Sequence, residues 1–368
     1  MGKRKQNLGM YSPYVPEHEG GGERHFFSVA EVLSQSHDVT VLIGSHKDNE
    51  LQKKYGNKFN LDLKKVKFKK SSIGTASSIA TKLLETSKYD IFYYLTDGSL
   101  FFSLAKKNIL HIQFPFTFKK DSLVERLKLA NWRSRNTNSE FTKKVVEKAW
   151  STPIQFIHYP YVDTSIFQPL EKEKIILSVG RFFSGEKSGM HCKRQDVMVE
   201  MFRSMVDQGL TDSWKLVLVG TVDPGKDNQD YADQVWAKAK GDPIKILHNA
   251  SFDVLKQYYA HAPIYWHAAG YGIDEQVQPT KVEHFGIAPL EAMASGAVPV
   301  MINKGGLKET VEHGVNGFLW DTMEQGISYT RKLMMNKDLL KELHQKAIER
   351  TKHFNKKRFE KTLQEMVQ

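Results

Sequence analysis

A chain of 368 residues, 40% hydrophobic and 26% charged, is long enough for two domains of ordinary size and has the composition of a soluble globular protein. It has no apolar run of the roughly 18 residues a membrane span requires, and no apolar stretch behind the N-terminal M-G-K-R-K-Q-N to make a signal peptide. A single cysteine, Cys192, excludes internal disulfides and fits a reducing cytoplasm. The net charge of +11 gathers in the first half, at Lys64–Lys70, Lys106–Lys107, Lys119–Lys120 and Lys143–Lys144. No nucleic-acid-binding signature accompanies it, so we expect a solvated face or an anionic membrane surface, and no nucleic acid.

The elements alternate. Asn7–Ser12 reads as a short strand, followed by a Pro- and Gly-rich loop ending in G-G-G-E-R-H and a helix over Glu23–Leu33. Strand D-V-T-V-L-I-G comes next. Thereafter we expect a helix near Ala76–Ser87, strand Ile91–Leu95, a helix near Ser99–Lys106 and strand Ile109–Gln113. A basic amphipathic stretch at Leu123–Trp132, helix Phe141–Trp150 and strand Ile154–His158 complete this half. Asp163–Glu173 is polar and aperiodic, and reads as a linker. A second alternation follows: Ile175–Val179, Asp196–Gln208, Lys215–Val219, Tyr231–Lys240, Ile244–Leu247, Asp253–His261, Ile264–His267, Ala288–Ser295 and Val298–Ile302. The segment Lys337–Val367 reads as charged and helical. Strands alternating with helices imply parallel sheets covered on both faces, in two doubly wound halves with a cleft between their strand edges. The expected domains are 1–165, 174–345 and a C-terminal helix, 346–368.

Four stretches carry chemistry. Gly20-Gly21-Gly22, between a strand and a helix, lets the backbone approach an anion closely, although G-x-G-x-x-G is not matched. S-V-G-R-F ends a strand at Arg181, and K-R-Q-D opens a helix after Lys193; two cations there suit a pyrophosphate. Lys187 competes with Lys193, which is preferred because Asp196 and the helix follow it. His111, in I-L-H-I-Q-F-P-F, reads on context alone as a core residue; an imidazole there could instead hold a hydroxyl. In V-E-H-F-G-I-A-P-L-E, a helix starts after Gly286, so the amides of Gly286, Ile287 and Ala288 can meet a phosphate. Glu283 precedes that turn and Glu291 is expected in it, both suited to gripping neutral hydroxyls.

The run E-H-F-G-I-x-x-x-E-A-M-A-x-G-x-x-P-V, continued by G-G-x-x-E (Gly305–Glu309) and H-G-V-N-G-F (His313–Phe318), resembles the E-x7-E signature of family-4 retaining nucleotide-sugar glycosyltransferases, which have the GT-B fold. The resemblance implies an α/β protein of two Rossmann-like domains facing each other across a cleft, with the C-terminal helix 346–368 packing back toward the first. It implies that Glu283 holds the donor sugar and Glu291 the ribose, that Phe285–Ala288 lie on the donor, and that Arg181 and Lys193 stabilise the leaving diphosphate. Gly21 and Gly22 resemble the family's loop over the donor phosphates. His111 resembles the histidine that faces sugar and acceptor. It further implies same-face, metal-independent transfer, and D-x-D, P-loop and H-E-x-x-H motifs are absent from the sequence. No cofactor is expected beyond the nucleotide sugar. The wording of E-H-F-G-I is similar to that of mannosyltransferases acting on lipid-linked oligosaccharides, so GDP-mannose and a glycan or lipid-linked acceptor are the first expectation, in a cytoplasmic or peripheral membrane protein. The alternatives are a nucleotide-sugar epimerase or phosphorylase on the same fold, and a non-catalytic partner that binds sugar nucleotide.

Overall fold

The computed structural model describes residues 5–15, 20–44, 48–74, 77–184 and 192–368. The chain divides into two compact units, Met1–Pro160 with Lys357–Gln368, and Tyr161–Lys356.

The first unit is a wholly parallel seven-stranded sheet. Its strands are β1 (Asn7–Tyr11), β2 (Asp38–Ile43), β3 (Lys67–Lys70), β4 (Ile91–Leu95), β5 (Lys107–Ile112), β6 (Ser134–Thr137) and β7 (Phe156–Ile157), in the order 3-2-1-4-5-6-7. The order reverses between β1 and β4, the place where doubly wound sheets take ligands at their C-terminal edge. The helices are α1 (Gly21–Leu33), α2 (Asp48–Phe59), α3 (Ile79–Thr86), α4 (Leu123–Asn131) and α5 (Glu140–Trp150). The buried β4, I-F-Y-Y-L, has the continuous apolar run of a strand covered on both faces. At the sheet edge, β3 exposes Lys67, Lys69 and Lys70. Charged side chains there discourage pairing with another chain, which accounts for part of the basic cluster.

One expected helix is absent here and one strand was not expected, each for an identifiable reason. Residues 99–106 do not form a helix. Their amides are taken by side chains instead: Ser99 N donates to Asp97 Oδ1 (2.9 Å), Ser103 N to Asn131 Oδ1 (2.8 Å) and Leu104 N to Thr86 Oγ1 (2.9 Å). Conversely, the polar S-R-N-T forms strand β6, hidden from hydropathy because Arg135, Asn136 and Thr137 find carbonyl partners inside the fold.

The second unit is a parallel six-stranded sheet in the order 10-9-8-11-12-13. It comprises β8 (Ile175–Val179), β9 (Lys215–Gly220), β10 (Ile244–His248), β11 (Ile264–His267), β12 (Val298–Ile302) and β13 (Phe318–Trp320). Its helices are α6 (Gln195–Asp207), α7 (Lys226–Ala239), α8 (Phe252–His261), α9 (Ile287–Ala294), α10 (Leu307–Thr310), α11 (Met323–Met335) and α12 (Lys337–Thr351). The switch point lies between β8 and β11. Asp163–Glu173, read as a linker, is packed into this unit. Phe167 is buried, Leu170 N and Glu173 N donate to Ala260 O and His261 O, and Lys172 Nζ reaches the carbonyls of Ala260, Ala262 and Ser295. The helix α13 (Lys356–Val367) ends the chain, and residues 357–368 belong to the first unit.

The core of the first unit contains three histidines. The His25 ring stacks on that of His111, with centroids 4.3 Å apart, and meets His158 edge-on at 4.8 Å; His158 packs on Phe359 of α13 at 4.0 Å. All three are buried. His111 pairs through Nδ1 with Asn136 Oδ1, whose amide nitrogen donates to Leu110 O, and His158 Nε2 donates to Phe359 O. The expectation that His111 faces sugar and acceptor is therefore corrected. Its ring lies inside the first unit, under α1, as the plain reading of a histidine in an apolar strand had it.

Burial holds these rings neutral, pushing His111 down to about 4, His158 to about 3, and His25 well below its ordinary value. Each folded-state value lies below the unfolded one. The stability they allow is thus fully present above about pH 6.5, and falls as the unfolded chain takes up protons that the native chain refuses. At pH 5.0 His111 and His158 each cost about 2 kcal/mol relative to pH 7.5. Urea unfolding of His158→Phe should lose about 2 kcal/mol less than wild type on that acidification; an equal loss would contradict the cause given.

Candidate functional site

The second unit gathers most of the expected residues at the C-terminal edge of β8 and β11. After β8 the chain passes Gly180 and Arg181, and after the segment 185–191, which includes Lys187 and lies outside the described residues, it resumes at Cys192. The stem of Lys193 lies against Gly180, where a Cβ would stand 2.7 Å from Lys193 Cγ, so only glycine lets the lysine cross the strand end. Gly220, at the end of β9, is equally constrained, with a Cβ meeting Gly180 O at 2.0 Å. Gln195 fixes the turn by donating to the carbonyls of Gly180 and Arg181, each at 3.1 Å.

Lys193 Nζ binds Glu283 Oε2, and His267 Nε2 lies 3.1 Å from the same oxygen. Both Glu283 and His267 are buried, while Lys193 keeps 17% of its side chain exposed. A buried carboxylate is tolerated only when its charge is met by donors, and an ammonium and an imidazole meet it here. Arg181 stands beside this cluster in sequence but is engaged elsewhere: Nη1 donates to Asp223 Oδ2 at 2.7 Å, and the guanidinium lies over Phe183 at 5.3 Å. Its side chain is 44% exposed, leaving it able to swing to an anion. Asp196 accepts from Arg194 (3.0 Å), whose Nη1 also donates to Tyr271 O (2.8 Å). Burial raises the Asp196 carboxyl, and the guanidinium more than offsets this, so it sits below its ordinary value.

Glu283 leads directly to α9. Gly286 adopts φ +93°, a region that favours glycine, and turns the chain into the helix at Ile287 with no side-chain cap on the first turn. Ile287 and Ala288 are half-buried, Phe285 and Gly286 buried. Glu291 is not in the first turn, as expected, but is the fifth helical residue; its buried carboxylate accepts from Tyr259 OH of α8 at 2.9 Å. The Gly305-Gly306 pair explains itself sterically. A Cβ would lie 2.2 Å from Glu283 O at Gly305 and 2.1 Å from His284 O at Gly306. The Gly306 amide donates to Glu283 O (2.8 Å), and that of Gly305 to Glu275 Oε2 (2.6 Å). The two glycines thus hold the backbone on which Glu283 rides.

In the first unit, Gly21 and Gly22 open α1, and Gly20 N donates to Glu23 Oε2 at 2.7 Å, closing the helix start. Glu23 accordingly serves the cap. A Cβ on Gly22 would lie 2.6 Å from Gln113 Oε1, so this glycine admits the Gln113 side chain. His267, Tyr259, Asp223, Glu275 and Gln113 were not expected site residues. His267 and Glu275 do sit in the H-A-A-G-Y-G-I-D-E stretch that closes β11 and continues past it, which is the signal that could have found them.

The chain is similar to proteins of known description. The chain is 29% identical over 216 residues to a GDP-Man:Man(3)GlcNAc(2)-PP-Dol alpha-1,2-mannosyltransferase of Dictyostelium discoideum, covering 55% of this chain and 40% of that protein. It is 27% identical to the alpha-1,3/1,6-mannosyltransferase alg-2 of Neurospora crassa, over 58% of this chain and 51% of the relative. It thus spans about half or less of the length of either. Among solved structures, a glycosyltransferase from Rickettsia africae superposes with a TM-score of 0.74 at 17% identity, over 99% of this chain and 100% of that one. HepE of Anabaena, solved with UDP and glucose, gives 0.72 at 16% identity, over 98% and 99%. At such identities the likeness concerns the fold. The sequence pattern described as "Glycosyl transferases group 1" matches residues 163–353, over half of the chain, and takes in Arg181, Lys193, Glu283 and Glu291. The chain belongs to the group 1 glycosyltransferases.

Proposed function

We propose that the chain transfers a hexose, with retention, from a nucleotide diphosphate sugar to a glycan or lipid-linked acceptor, and that the donor is GDP-mannose. The single observation that carries this is the convergence of Lys193, Glu283 and the uncapped start of α9 on the switch-point edge of the second sheet, with Arg181 one residue beyond Gly180. The first turn of a helix donates amides to phosphate oxygens, and two cations stabilise a leaving diphosphate without need of a metal. Glu283 then grips sugar hydroxyls and Glu291 the ribose. The mannosyltransferase relatives favour mannose over glucose as the first donor to test.

The second component is a membrane surface. No described helix is long and apolar enough to cross a membrane. Helix α4, however, buries Leu129 while leaving Leu123, Val124 and Leu127 exposed by 73%, 54% and 53%. Spacing puts these three on the side away from Leu129, with Arg126 and Lys128 flanking them and exposed Phe118 and Lys119 just before. An apolar stripe bordered by cations suits the interface of an anionic bilayer, where a lipid-linked acceptor would be found.

Three outcomes are expected. In a thermal-shift screen of GDP, UDP, ADP and dTDP, GDP should raise the melting temperature most, since a ligand bound only by the folded chain stabilises it. Glu283→Gln and Arg181→Ala should each lower transfer at least about tenfold, the scale of about 1.4 kcal/mol of lost transition-state contact; wild-type turnover in both would refute the site. The protein should sediment with phosphatidylcholine–phosphatidylglycerol vesicles and not with phosphatidylcholine alone, salt and the double change Leu123→Asp with Leu127→Asp both releasing it. Indifference to lipid charge would end the membrane reading.

A further inference from the structure

His267 is the last residue of β11, buried, and its tautomer is fixed by its surroundings. The Ala269 amide donates to His267 Nδ1 at 3.2 Å. A backbone amide can only donate, so Nδ1 carries the lone pair and the neutral ring bears its proton on Nε2. That N–H donates to Glu283 Oε2 at 3.1 Å. Lys193 reaches the same oxygen, so one carboxylate oxygen of Glu283 is held by two donors of different kind. They also differ in freedom. The lysine is the long, partly exposed one, its stem resting on Gly180; the histidine is locked by β11 and by the turn that follows.

A single ammonium cannot serve the carboxylate and a diphosphate at full strength at once. When a nucleotide diphosphate sugar binds, its charge competes for Lys193, and Glu283 must keep its place with one partner fewer. We propose that His267 is the positioning residue that keeps the Glu283 carboxylate oriented toward the donor sugar when Lys193 moves to the diphosphate. The inference rests on the transferase reading given above. It adds that recognition of the sugar and of the diphosphate are separable: His267 acts through Glu283 on the sugar alone.

Three substitutions divide the functions of the ring. His267→Asn keeps an acceptor near the Nδ1 position for the Ala269 amide but has no donor at the Nε2 position; His267→Gln puts an amide N–H near the Nε2 position; His267→Leu removes both. Transfer kinetics, affinity for GDP and for GDP-mannose, and melting temperature are measured for each. The expected result for His267→Asn is GDP affinity within about twofold of wild type, weaker preference for GDP-mannose over GDP, and kcat lowered at least about tenfold. His267→Gln should recover to within about threefold of wild type. His267→Asn turning over like wild type, or His267→Gln falling as far as His267→Asn at unchanged melting temperature, would overturn the proposal. If the wild type transfers no sugar, the assigned reaction fails instead, and the ratio of sugar-nucleotide to nucleotide affinity in His267→Asn and His267→Gln decides the role of His267 by itself.

Discussion

A carboxylate buried at the edge of a parallel sheet is the constraint around which the second unit is arranged. A carboxylate so placed needs donors, and the unit supplies them to Glu283 from two directions: Lys193 from just before α6 and His267 from the end of β11. The strand order 10-9-8-11-12-13 makes this possible. It sets β8 beside β11, so the residues that follow each strand emerge next to one another although some 90 positions separate Lys193 from Glu283.

Close backbone approach is the second requirement, and glycine meets it repeatedly. Gly180 lets Lys193 cross a strand end, Gly220 lets the next strand approach that same turn, and Gly305 and Gly306 receive the carbonyls of Glu283 and His284. The strand next to the sheet edge shows the same logic from another side. Pro299 interrupts the donors of β12, an inner strand, and Gly317 gives its ring room, since a Cβ there would stand 2.5 Å from Pro299 Cγ. In physical terms each is a place where a Cβ would collide with a carbonyl or side chain already in place.

The first unit solves a different problem. Its core accepts polar groups, provided each is paired or kept neutral. Asn136 orients His111, Trp132 donates to Phe101 O at 2.7 Å, and Lys120, buried among Phe118 and Trp150, answers to Glu125 at 3.2 Å. Such residues look like surface or catalytic groups in a linear reading. Burial with partners converts them into structure, and His111 is the clearest case.

The sequence by itself determined the alternation of strands and helices, strands β4, β8, β11 and β12 to the residue, and the motif stretches that mark the family, because apolar periodicity and glycine placement are local properties of the chain. It also placed Arg181 after a strand, and Lys193 and Glu283 ahead of helix starts. Only the tertiary structure decided that residues 99–106 give their amides to distant side chains, that S-R-N-T is a strand, that Asp163–Glu173 is packed against α8 and that His111 is enclosed. It alone brought His267 to Glu283 and Tyr259 to Glu291. The reason is the same each time: whether a polar group is satisfied depends on what lies across space from it, and the partner is set by how strands are ordered in a sheet, which no stretch of neighbouring residues encodes.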